Sequence, residues 1–135
     1  MPLIVPDVAE VDALIKILTP AMTIRLYSNN YVPTGVSLTA NFTEVAGGGY
    51  TNFPMTPAGW VIIAGTPSVA SHTMITWTFT GVTNAPGTIY GYYLTRNSDN
   101  LLMWAERFAP GVVPIVPVAG SIIQVTPVFT GGSVY

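Results

Sequence analysis

Residues 88–108 read Thr88-Ile89-Tyr90-Gly91-Tyr92-Tyr93-Leu94-Thr95-Arg96, then Asn97-Ser98-Asp99-Asn100, then Leu101-Leu102-Met103-Trp104-Ala105-Glu106-Arg107-Phe108. Two runs rich in aromatic and aliphatic residues flank four small polar ones, which predicts a β-hairpin closed by a four-residue loop. Along the first run Tyr90, Tyr92 and Leu94 share a face and Tyr93 takes the other. Along the second, Leu102, Trp104, Glu106 and Phe108 fall together.

The same period of two extends outward from this hairpin. Over 71–80, Ile75, Trp77 and Phe79 alternate with Thr76, Thr78 and Thr80, so one face is apolar and the other carries hydroxyls. Residues 121–129 form a last strand, and Pro127 within it places that end at a sheet edge. Upstream, Met22, Ile24 and Leu26 alternate with Thr23, Arg25 and Tyr27. Residues 60–64 are a compact apolar strand between Gly59 and Gly65, and 36–42 read as a short strand. Asn29 to Gly35 carry turn chemistry, and Gly47-Gly48-Gly49 reads as a flexible loop.

Before these strands the period is 3.6. Asp7 stands where an N-cap belongs, with Glu10 three residues on. Val8, Val11, Leu14, Ile15 and Leu18 fall on one helical face, away from Glu10, Asp12 and Lys16, and Pro20 ends the run. The prediction is one short helix within residues 7–19, after an extended arm, 1–6, that holds two prolines. Residues 131–135 form a short tail. Six to eight short strands without βαβ alternation predict an all-β domain, either an antiparallel, jelly-roll-like β-sandwich or a barrel, with one N-terminal helix. At 135 residues the chain has the length of a single domain.

Charge is scarce. Asp, Glu, Lys and Arg make up 7% of the chain and mean hydropathy is +0.51, whereas an ordinary soluble domain is about 25% charged. A membrane span, poor solubility or a surface covered by partners would each account for this. A spanning helix needs about 20 apolar residues in succession. The longest apolar runs are 60–64 and 112–119, and Pro114 and Pro117 break the second. Strands long enough for a transmembrane barrel are too few, and no basic region precedes an apolar stretch at the start, so neither a membrane partner nor a secretory signal is expected. The four basic residues, Lys16, Arg25, Arg96 and Arg107, are scattered. Nucleic acid, which demands clustered cations, is therefore not an expected partner. Coverage by other protein subunits is.

The inventory for catalysis is short. Cysteine is absent, which excludes disulfides and thiolate chemistry, and the single histidine, His72, excludes His clusters. His72 follows Ser71 at the head of an alternating strand, and no Gly-x-Ser-x-Gly elbow is present. Neither an enzyme nor a cofactor or metal is expected. Glu106, on an apolar face, predicts a structural ion pair with Arg25 or Arg96, since an unpaired buried charge is costly. Asn41-Phe42-Thr43 matches a glycosylation sequon by chance. The tryptophans and tyrosines read mainly as core or subunit interface, the minor alternative being a glycan platform. Leu3, Ile4, Val5, Tyr90, Tyr92, Val134 and Tyr135 are the candidate assembly contacts.

The succession Ile24-Arg25-Leu26-Tyr27-Ser28-Asn29-Asn30, Phe42-Thr43-Glu44, Gly49-Tyr50, Trp60, Tyr90-Gly91-Tyr92-Tyr93-Leu94-Thr95 and Leu102-Met103-Trp104-Ala105-Glu106-Arg107-Phe108 resembles small virion proteins of tailed bacteriophages. The likeness runs over residues 7–128 as blocks without a catalytic signature. It implies a capsid cement or decoration protein, assembled in the host cytoplasm and seated on the capsid surface. Its implied partners are the major capsid protein and copies of itself, as a homotrimer. Another head–tail or tail component fits the resemblance as well, and a host-recognition module that binds glycan is the reading from a different class.

Overall fold

The computed structural model describes residues 6–65 and 67–130. These hold a helix, α1 (Asp7–Leu18), and nine strands: β1 (Met22–Tyr27), β2 (Phe53–Met55), β3 (Trp60–Ile63), β4 (Val69–His72), β5 (Ile75–Thr78), β6 (Gly91–Arg96), β7 (Leu101–Arg107), β8 (Ile122–Val125) and β9 (Val128–Thr130). The protein is mainly β, with one N-terminal helix and three antiparallel sheets, and the described residues form no closed barrel.

The predicted hairpin is β6–β7, half of a sheet ordered β2-β1-β6-β7. Ile24 on β1 stands between Phe53 and Leu94, so apolar side chains line up across three strands. A β-bulge interrupts the hairpin: Leu94 faces Trp104 but Thr95 faces Leu102, which leaves Met103 as the extra residue. Leu102 is thereby turned to the opposite face from Trp104 and Phe108, against the simple alternation. It joins Tyr93 and Ala105, while Met103 joins the main core.

Both faces of this sheet are covered. Met22, Ile24, Leu26, Tyr92 and Leu94 face the main core. The other face lies under the excursion from β1 to β2, where Phe42 stacks on Tyr93 at 4.8 Å and meets Tyr27 and Tyr31 edge-on at 5.0 and 5.1 Å. Residues 36–42 do not form the expected strand; they hold a 3₁₀ turn, Thr39–Asn41. Polar side chains take over the backbone there. Asn41 Oδ1 accepts the Leu38 N–H at 2.7 Å, Asn29 Oδ1 that of Thr43 at 2.9 Å, and Ser37 Oγ that of Thr34 at 2.8 Å. The Gly47–Gly49 run is likewise held, not loose. All three glycines have positive φ, and the Thr80 N–H donates to the Gly48 carbonyl at 2.9 Å.

The second layer is one long ladder with a kink. β4 pairs with β9 and β5 with β8, so 69–78 runs antiparallel to 122–130, with a one-residue register shift across the break. The predicted strand over 71–80 is therefore split at Thr73-Met74, opposite Thr126-Pro127. β3 extends the β4–β9 part, and β9 lies at its edge, as Pro127 implied. Ala70, Ile75, Trp77, Phe79, Ile123 and Val125 point inward to meet the first sheet.

The helix closes one side of this core through Leu14 and Leu18. Its buried line is Glu10, Leu14 and Leu18, whereas Val8 and Ile15 are 80% and 47% exposed, which corrects the expected apolar face. The Glu10 carboxylate accepts the Ser68 backbone N–H, and that bond draws it inward. Asp7 is the first helical residue, not the cap; Pro6 holds the N-cap position without a side-chain bond.

Candidate assembly surface

The charged side chains occupy only part of the molecule. Four lie on α1, and the other six are Arg25, Glu44, Arg96, Asp99, Glu106 and Arg107, on the first sheet and its loops. Most are engaged. Arg25 Nη1 meets Glu44 Oε1 at 2.7 Å, and Glu44 Oε2 accepts the Tyr50 hydroxyl at 2.8 Å and Asn52 Nδ2 at 3.1 Å. Arg96 grips Asp99 through Nε at 2.9 Å and Nη2 at 2.6 Å, which holds the Asp99 carboxyl down to about 2. Lys16 meets Asp12 at 2.8 Å. Arg107 lies 4.9 Å above the Tyr90 ring and donates to the Tyr31 carbonyl. Burial pushes the Tyr27 hydroxyl up to about 12 against the pull of Arg107, and it does the same to Tyr93, where Glu44 adds to the rise.

The expected ion pair of Glu106 with Arg25 or Arg96 is not formed. Arg25 faces Tyr93 and Glu106 faces Tyr92, and neighbours along a strand point to opposite sides of the sheet. Arg96 is taken by Asp99 in its own turn. Glu106 is exposed because β7 is an edge strand, and it accepts the Tyr92 hydroxyl at 2.8 Å.

Of the candidate assembly contacts, Leu3, Ile4, Val5, Val134 and Tyr135 lie outside the described residues. Tyr92 is 3% exposed, so the chain's own core claims it and not a neighbour. Tyr90 is half-buried beneath Arg107. No described aromatic side chain is fully exposed. His72 is buried at the end of β4, its Nδ1–H donating to the Thr73 carbonyl and its ring edge-on to Trp60 at 5.1 Å. Two cavities of about 570 and 430 Å³ flank β7, lined by Leu38, Leu102, Met103 and Trp104 among short polar side chains. Their only carboxylate, Asp99, is committed to Arg96, and neither contains a histidine or lysine beside a hydroxyl.

What reaches solvent instead is aliphatic. Val61, Ile63, Ile122 and Val128 project from the outer face of the second layer, with Met74 at the break between β4 and β5, each more than half exposed. Val61 and Val128 flank Ser71 across three strands, and Ile63 stands opposite Val69. A second group, Val32, Val36, Leu38 and Leu101, belongs to the excursion over the first sheet and to the start of β7. Sequence reasoning missed both. The available signal was the absence of any charge between Glu44 and Arg96 and again after Arg107. Compared with protein-family models, curated proteins and solved structures, the chain matches none.

Proposed function

We propose that this chain is a structural protein of a virion, a cement or decoration protein that binds the assembled head of a tailed phage and bridges its capsomers. The finer fold reading that goes with it is a jelly-roll-like sandwich, the four-stranded sheet forming one layer and the kinked ladder the other. It performs no chemistry in this reading. Its work is burial of surface that exists only once the shell is built, and a ligand that binds only the assembled state stabilises that state by mass action.

One observation carries the proposal: among the described residues fifteen large hydrophobic side chains are exposed, on a chain with ten charged residues. A lone soluble protein covers itself with mixed charge and keeps apolar patches small. Covering about 500 Å² of such surface contributes roughly 12 kcal/mol before the cost of association is subtracted. Most of the tryptophans and tyrosines favour this reading over glycan binding, because Trp60, Trp77, Tyr92 and Tyr93 are all at most 9% exposed and serve the core, while Tyr90 and Trp104 are half-buried. The test is to add purified chain to expanded, undecorated heads and follow their resistance to heat. The expected result is a saturable rise in the temperature at which the heads rupture, and unchanged heads would refute the proposal.

A further inference from the structure

We infer that the uncharged outer face of the kinked ladder is the contact between two copies of this chain. The inference rests on the assembly reading above and names one of the neighbours. β3, β4 and β9, continued by β5 and β8, present Val61, Ile63, Ile122 and Val128 among serines, threonines and Gln124, and Met74 is exposed at the break between β4 and β5. None of the ten charged side chains lies on these five strands.

Charge chooses the occupant. A partner with an ordinary charged surface would have its ions stripped of water against a face that offers no counter-charge, which opposes association. A second copy brings the same neutral face, so no ion is desolvated and no like charges meet. The size sets the strength. The ladder spans about 30 Å along ten residues of strand and is two to three strands wide, an outline of roughly 400 Å², the share each partner gives a small, weakly held interface. Its relief suits a twin, because Ser71 on the middle strand leaves a shallow trough between the ridges of Val61 and Val128. Sheets packed face to face interdigitate in this way at about 30°. Such a contact uses the same patch on both partners and closes after two copies. The structure thus assigns a dimer, in place of the trimer that the resemblance implies.

The test is sedimentation equilibrium of the full chain from about 1 to 100 μM, where an interface of this size is populated. Two double variants accompany it, one with Val61→Lys and Val128→Lys and one with Val61→Glu and Val128→Glu. The wild type is expected to approach twice the chain mass, and each variant alone to associate at least ~100-fold more weakly. An equal mixture of the two variants is expected to recover the dimer through opposite charges. A wild type that stays monomeric throughout, a Lys variant that still dimerises, or a mixture that fails to recover would each overturn the inference. If a double variant unfolds, Thr76→Lys and Thr76→Glu, at an already exposed polar position of the same face, carry the same comparison. Heads separate the two claims. A wild-type dimer that does not bind them keeps this inference and sinks the capsid reading. A monomeric wild type that binds them does the reverse.

Discussion

Phe42 holds the long excursion between β1 and β2 onto the first sheet, and removing its ring is the sharpest test of that arrangement. The side chain is 7% exposed and touches three rings, stacked on Tyr93 and edge-on to Tyr27 and Tyr31. A buried Phe→Ala change costs ~3–5 kcal/mol, the ring pairs included, so we take about 4 kcal/mol. Unfolding 135 residues releases roughly 0.28 kcal/mol per kelvin, so Phe42→Ala should lower Tm by about 14 °C. Thermal unfolding followed by circular dichroism measures it, with Phe42→Leu as the conservative partner losing less than half as much. A drop below about 3 °C would mean that the excursion opens without disturbing the sheet, and the two-faced burial argument would fail.

Three further perturbations probe other parts of the account. A Cβ added at Gly91 would run into the Glu106 carbonyl and lie 2.7 Å from Tyr27 Cε1, so Gly91→Ala should cost roughly 2–4 kcal/mol in chemical denaturation; an unchanged midpoint would contradict the close crossing of Tyr27 over β6. Tyr27 and Tyr93 ionise in the folded protein at about 12, above the ordinary 10. The unfolded chain therefore gives up those protons first, and the stability they contribute is intact below pH 10 and lost as pH rises towards 12. Tyrosinate absorbance should accordingly rise together with loss of the fold, and a smooth titration of all tyrosines near pH 10 would exclude it. Finally, Glu44→Ala should destabilise by about 2 kcal/mol because it strips partners from Arg25, Tyr50 and Asn52. The matching change at exposed Glu106 removes a single partner, that of the Tyr92 hydroxyl, and should cost about 1 kcal/mol, half as much; equal losses would undo the reassignment of the ion pair.

How much of this was legible in the sequence depends on how local each signal is. The β6–β7 hairpin could be read because its strands and its Asn-Ser-Asp-Asn turn are contiguous. Its bulge could not, because Leu101-Leu102-Met103-Trp104 is apolar in either register and slippage leaves no polar mark. Val36 and Leu38 imitate a strand, but the surrounding Asn and Ser side chains satisfy the backbone locally and make a turn. Glu10 misled in the opposite sense: a carboxylate reads as solvent-facing until a distant N–H, that of Ser68, is folded against it. The pairing of Arg25 with Glu44 and not Glu106 depends on which face each strand turns inward. The outer ladder face was hidden because Trp60-Val61-Ile62-Ile63 is apolar on both sides, so no alternation betrayed its exposed half.

Salt distinguishes burial of neutral surface from ionic attachment. Ionic contacts are screened within about 3 Å at 1 M salt, while burial of uncharged surface is not weakened. The chain should cosediment with expanded heads, but not with unassembled shell subunits, and with equal affinity within about twofold at 0.1 and 1 M sodium chloride. Absence of binding to heads, or a tenfold or greater loss of affinity in high salt, would contradict the account.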